Sequence, residues 1–96
     1  MQHVTFVGLD ADRLSAMLKA LSHPVRLEIF QVLSDSGEGS CVDFTRQAGL
    51  AQSTVSEHLR VLKDAGLIKQ CGPGPRSGYC IEKAALVWLK QAVVAL

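Results

Sequence analysis

The chain has 96 residues, of which 48% are hydrophobic and 20% charged; that is one domain's length, and far too apolar for a disordered segment. Only five aromatic residues occur, Phe6, Phe30, Phe44, Tyr79 and Trp88, so the core is mostly aliphatic, and a two-domain enzyme is excluded. A net charge of +1 excludes a basic tail that coats nucleic acid indiscriminately.

Residues 1–10 contain neither a basic leader nor a long apolar run, so no signal peptide or membrane span is expected and a cytoplasmic location is. Leu14, Met17, Leu18 and Leu21 recur at i, i+3, i+4 and i+7, which predicts a first helix over about residues 11–21. Ser22-His23-Pro24 stops it and starts a second helix over about 24–33, with Val25, Ile29, Val32 and Leu33 turned inward. The polar, glycine-punctuated stretch 34–39 is a connection. Ser40 and Asp43 have capping-box spacing, so a short third helix begins at Cys41 and ends at Gly49.

Val55, Leu59 and Leu62 lie on one face of a fourth helix, Ser53 to Ala65, that Gly66 ends. The stretches 67–71 and 78–82 are strand-like and flank Gly72-Pro73-Gly74-Pro75-Arg76-Ser77, a hairpin with a stiff tip. Leu86, Leu89, Val93 and Leu96 mark a fifth helix over 84–96. A single small core does not need so much apolar surface on the first and last helices, which points to a dimer built through them.

Helices three and four, over about 41–65, form a helix-turn-helix pinned by Phe44, Ala48, Leu50, Val55, His58 and Leu59. The projecting half of the second helix carries Gln52, Ser53, Thr54 and Ser56, short hydrogen-bonding side chains suited to base edges and phosphates, with Arg60 and Lys63 further along toward the DNA backbone. The hairpin over about 67–82 adds a wing whose tip residue, Arg76, can reach a phosphate or the minor groove. Residues 42–83 hold six basic and four acidic side chains, against three and five in residues 1–41. The positive end is thus the reading end. The expected fold is mostly α, of α+β composition: five helices with a two-stranded wing.

The run Leu21-Ser22-His23-Pro24-Val25-Arg26-Leu27, followed by Leu50-Ala51-Gln52-Ser53-Thr54-Val55-Ser56-Glu57-His58-Leu59-Arg60-Val61-Leu62-Lys63-Asp64-Ala65-Gly66-Leu67-Ile68, resembles the ArsR/SmtB family of winged-helix repressors. The resemblance implies a homodimer, joined through helices one and five, that binds a palindromic double-stranded operator and leaves it when an inducer binds. It also implies a search for a metal site. The family's arsenic-box cysteines fall on Ser40 and Val42, with Cys41 between them, and its paired Asp and His ligands on the last helix have no counterpart in 86–96.

What remains is Cys41, Cys71 and Cys80, an odd number that argues against a disulfide framework. Cys71 and Cys80 are expected to face each other across the wing, close enough to share a soft ion or form a disulfide, and the helix N-terminus at Cys41 favours its thiolate. Three thiolates suit As(III) or Sb(III), and with a fourth ligand Zn or Cd. The contrasting readings are reversible oxidation of the wing pair, cysteines that are merely small buried hydrophobes, and a winged helix used for protein contact. Glu57 within the recognition helix and Ala51 at its cap favour the last. No oxyanion donor or base-orienting acid suggests a thiol enzyme. His23 and His58 are expected to be architectural, and Trp88 to be interface packing.

Overall fold

Glycines and short polar caps set the helix boundaries. The computed structural model describes residues 10–39, 41–73 and 78–96, which form α1 (Ala11–Leu21), α2 (Pro24–Ser36), α3 (Cys41–Ala48), α4 (Gln52–Asp64), β1 (Ile68–Gln70), β2 (Tyr79–Ile81) and α5 (Lys83–Val94). Ser40, the expected cap of α3, His3 and the wing-tip residue Arg76 lie outside the described residues.

The Asp10 carboxylate accepts the Arg13 amide hydrogen at 3.0 Å and starts α1. Pro24 occupies the first turn of α2, and the Nδ1 of His23 caps that turn by accepting from the Val25 amide at 3.1 Å. α2 runs three residues beyond the expected Leu33. The Ser36 hydroxyl donates to the Val32 carbonyl at 2.7 Å and the Gln31 amide donates to Asp35 at 3.0 Å, so the polar stretch stays helical until Gly37, at φ +91°. α4 starts one residue early, because the Ala51 carbonyl accepts from both Thr54 and Val55 amides at 3.1 Å without a side-chain cap. α5 begins at Lys83 and stops at Val94, two residues short of the expected end.

α3 packs on α4; α2 packs on α1, α4 and β2; and α1 also touches α4 and α5. Met17, Leu33, Val55, Leu59, Leu62 and Leu67 fill the centre with almost no exposure. The faces of three helices differ from expectation. In α1 Ala20 is buried, Leu21 is half-buried and Leu18 stays 44% exposed. In α2 Phe30 joins Ile29 and Leu33 in the core, whereas Val25 and Val32 are half-buried. In α5 Ala85 and Leu89 are the buried positions, Leu86 is half-buried and Val93 is exposed, as is Leu96 beyond its end. A helix of period 3.6 drifts relative to a strict three-four pattern, so the inward stripe shifts by one residue where a small side chain allows closer approach.

β1 and β2 are antiparallel, with Ile68 opposite Ile81, Lys69 opposite Cys80 and Gln70 opposite Tyr79. On its other side β2 is bridged to the loop before α3: Gly39 donates its amide hydrogen to the Tyr79 carbonyl at 3.0 Å, and Tyr79 returns one to Gly39 at 2.7 Å. The approach is close. A Cβ on Gly78 would sit 3.2 Å from the Gly39 carbonyl oxygen, and one on Gly39 would sit 2.7 Å from the ring of buried Phe44.

Candidate nucleic-acid interface

Val55, Leu59 and Leu62 are completely buried and fix the inner face of α4. Phe44 and half-buried Leu50 hold the α3–α4 corner as expected, but Ala48 is exposed and contributes little to it. Because α4 is pinned on that side, Gln52, Ser53, Thr54, Ser56, Glu57, Arg60, Lys63 and Asp64 are all exposed. At 100° per residue, Ser53, Glu57, Arg60 and Asp64 form the ridge most directly opposite the buried stripe. Of the expected contact residues on α4, Ser53 and Arg60 therefore lie on this ridge, while Gln52 and Ser56 flank it on one side and Thr54 on the other.

Arg60, expected to reach the DNA backbone, has its charge engaged within its own helix. Its Nε donates to Glu57 Oε2 at 2.9 Å and its Nη2 to the other Glu57 oxygen, while Nη1 donates to Asp64 Oδ2 at 2.7 Å. The forked hydrogen bond from Arg60 holds the Glu57 carboxyl below its ordinary range, and the same bond raises the guanidinium further. Glu57 thus stands ionised near the middle of the outer face, a position that sequence reasoning treated only as a mark against DNA binding. The signal was available in the 57, 60, 64 spacing, which is that of i,i+3 and i,i+4 pairs.

Beneath this surface, the rings of His23 and His58 meet with centroids 4.5 Å apart and a 49° tilt. The Nδ1 of His58 is buried without a hydrogen-bond partner. Burial first, then the neighbouring positive charges of His23 and Arg26, lowers the His58 pKa from 6.5, with Glu57 acting in the opposite direction. The pair joins the start of α2 to the recognition helix and has an architectural place, as the sequence suggests.

At the wing base Cys71 and Cys80 are free thiols on one face of the hairpin. They are not directly opposite each other, as expected, but diagonal: Cys71 donates its amide hydrogen to Gly78 at 3.0 Å, and Cys80 faces Lys69. Diagonal neighbours have Cα atoms about 7–8 Å apart, beyond the span of an unstrained disulfide. The thiols still interact. The Cys71 Sγ lies 3.4 Å from the Gly78 carbonyl oxygen and 3.7 Å from a Glu38 carboxylate oxygen. Its hydrogen bond with Cys80, then burial, then the Cys80 and Glu38 charges, pushes its pKa up to about 11.

Both cysteines line an open cleft of about 550 Å³ between the end of α2, the hairpin and the start of α5, together with Leu33, Glu38, Lys69 and Lys83. Cys41 begins α3 two residues after the Gly39 bridge, and its side chain is not among those described. Among the described residues, no group of three or more His, Cys, Asp or Glu is placed to hold a metal ion. Two adjoining thiols fit a ligand that takes two sulfurs; they do not complete a zinc or cadmium shell.

Comparison with known proteins agrees with this geometry. Residues 21–71 match the model of a helix-turn-helix domain. The chain is 41% identical over 86 residues to the HTH-type transcriptional regulator YgaV of Escherichia coli, covering 90% of this chain and 87% of that one. It is 35% identical over 78 residues to the arsenical resistance operon repressor of Staphylococcus xylosus, covering 81% and 74%. Among solved structures, the homodimeric winged helix-turn-helix DNA-binding domain Mb0332 of Mycobacterium bovis superposes with a TM-score of 0.69 at 28% identity, over 94% of this chain and 90% of that one. The superposition shows the winged helix-turn-helix fold, and with these identities the chain belongs to the ArsR family of winged helix-turn-helix transcriptional regulators.

Proposed function

We propose that the chain is a homodimeric, sequence-specific DNA-binding repressor, released from a double-stranded operator by a thiophilic inducer captured at Cys71 and Cys80. The observation that carries the DNA-binding part is the polar outer face of α4, set by three side chains buried opposite it. Gln52, Ser53, Thr54 and Ser56 would meet the half-site, and Arg76 would extend the contact from the wing. Homodimerisation through α1 and α5 is supported by Leu18, Val87, Val93 and Val94, exposed on those helices, and by the homodimeric relative Mb0332.

The inducer part rests on the two thiols that share the cleft. As(III) or Sb(III) can take two sulfurs with a third donor, the Cys41 sulfur or a solvent oxygen, whereas Zn or Cd needs further donors. The diagonal spacing and the protonated state of Cys71 weigh against a direct disulfide. A ligand-independent regulator whose cysteines are structural is the second reading, favoured by that same raised pKa.

Mobility shift of DNA flanking the chain's own gene tests the first part: a retarded complex that weakens steeply with salt is expected. No binding to any neighbouring intergenic DNA overturns it. Titration of that complex with arsenite, antimonite, zinc, cadmium and peroxide, for the wild type and Cys71→Ser, tests the second. Release of the wild type alone by a thiophilic ion is expected; release of neither leaves the ligand-independent reading.

A further inference from the structure

The outer ridge of α4 is unusual for a surface that must approach phosphates. At its centre one guanidinium is held between two carboxylates, Glu57 and Asp64, so this cluster carries a net negative charge. Phosphate attraction gains nothing from it, and a carboxylate facing the major groove loses its water on every sequence. That loss is offset only where the groove presents a hydrogen-bond donor. The base edges there offer two, the amino groups of cytosine and adenine; guanine and thymine show only acceptors. The adenine amino group lies between two acceptors that repel a carboxylate, its own N7 and the O4 of the paired thymine, whereas the cytosine amino group has an acceptor, O6 of the paired guanine, on one side alone.

From this we infer that Glu57 is a specificity-determining residue that accepts a hydrogen bond from a cytosine amino group, one in each half-site, with Arg60 as its positioning residue. The inference deepens the DNA-binding reading above and rests on it. The geometry supports it in three ways. Glu57 lies on the part of the helix farthest from the buried stripe. Both its oxygens accept from Arg60, which fixes the plane of the carboxylate while each oxygen keeps a lone pair directed outward. Asp64 holds the guanidinium from the next turn, so the acceptor is oriented before DNA arrives and less side-chain freedom is lost on binding. The same carboxylate discriminates by repulsion, because O6, O4 and N7 acceptors opposite it leave it unmatched.

The test is in vitro selection by the full-length protein from a pool of duplexes randomised across two successive turns. The wild type is expected to enrich a cytosine at one position, repeated by symmetry in the second half-site. Glu57→Ala should lose about tenfold discrimination at that position alone, with the remaining consensus retained. Glu57→Gln should move that position to adenine, since an amide can donate to N7 while accepting from the amino group. Arg60→Ala should weaken selectivity at that same position with an unchanged circular dichroism spectrum. The proposal is overturned if Glu57→Ala enriches the wild-type consensus, or if the position it releases is an A·T pair in the wild type, which holds no cytosine on either strand. A wild type that enriches no sequence overturns the DNA-binding reading with it; an intact wild-type consensus confines the failure to Glu57.

Discussion

α4 and α5 are nearly the same length, and both bury one stripe of aliphatic side chains, yet they turn opposite chemistry outward. The exposed side of α4 is hydroxyls, amides and charges; that of α5 includes Val87, Val93 and Val94. α4 is finished in water, with Glu57, Arg60 and Asp64 paired within the helix. α5 is not, and an apolar surface left over after a core has formed is the mark of a face that waits for another molecule. One helix therefore offers water a polar face and the other an apolar one, and substitutions can probe the two separately.

The largest effect is expected at the buried stripe of α4. Leu59→Ala removes a side chain with no exposure and should cost about 2–5 kcal/mol in urea unfolding, with DNA binding lost through the fold. Gly39→Ala comes next: its new methyl group would lie 2.7 Å from the buried Phe44 ring, and about 1–3 kcal/mol of overpacking is expected by the same measurement. On α5, Val87→Asp with Val93→Asp should leave the helical spectrum intact and weaken dimerisation by at least about tenfold in sedimentation, since each carboxylate would lose water on docking. A dimer of unchanged strength would place the interface elsewhere.

A smaller effect is expected from pH. The folded state holds His58 neutral, with its pKa below 6.5, so the unfolded chain binds more protons over the interval between the two values. Its contribution to stability is complete above pH 6.5 and is lost as pH falls through 6.5 toward the lower, folded-state pKa. Urea unfolding across that interval should show the decline, and His58→Gln should flatten it. The smallest effect is expected from Glu57→Gln, whose exposed ion pair is screened by solvent: the urea midpoint should not move measurably, although base preference does.

These contrasts also explain what the sequence discloses. The helix-turn-helix is legible because its signals are local: Val55, Leu59 and Leu62 keep helical steps, and Gly49 and Gly66 stop helices at φ +66° and +78°. The extra turn of α2 is not legible, because Ser34, Asp35 and Ser36 suit a loop or a helix, and side-chain hydrogen bonds decide between them. Periodicity marks α1 and α5 as amphipathic but cannot tell a stripe facing the core from one facing a partner, hence the exchange of Leu18 for Ala20 and of Leu86 for Ala85. The cysteine pairing depends on hairpin register, which composition of the turn leaves open. The 57, 60, 64 spacing allows Arg60 two carboxylate partners, and the hydrogen bonds to Glu57 and Asp64 show that it takes both rather than remaining a free cation.

The joint between Gly39 and Tyr79 is made wholly of main-chain atoms. No side chain at position 79 is needed to keep it, while a Cβ at 78 would crowd the Gly39 carbonyl and one at 39 the Phe44 ring. The strand that carries Cys80 and the lead-in to the reading unit are thus tied main chain to main chain, two residues before the helix that braces α4.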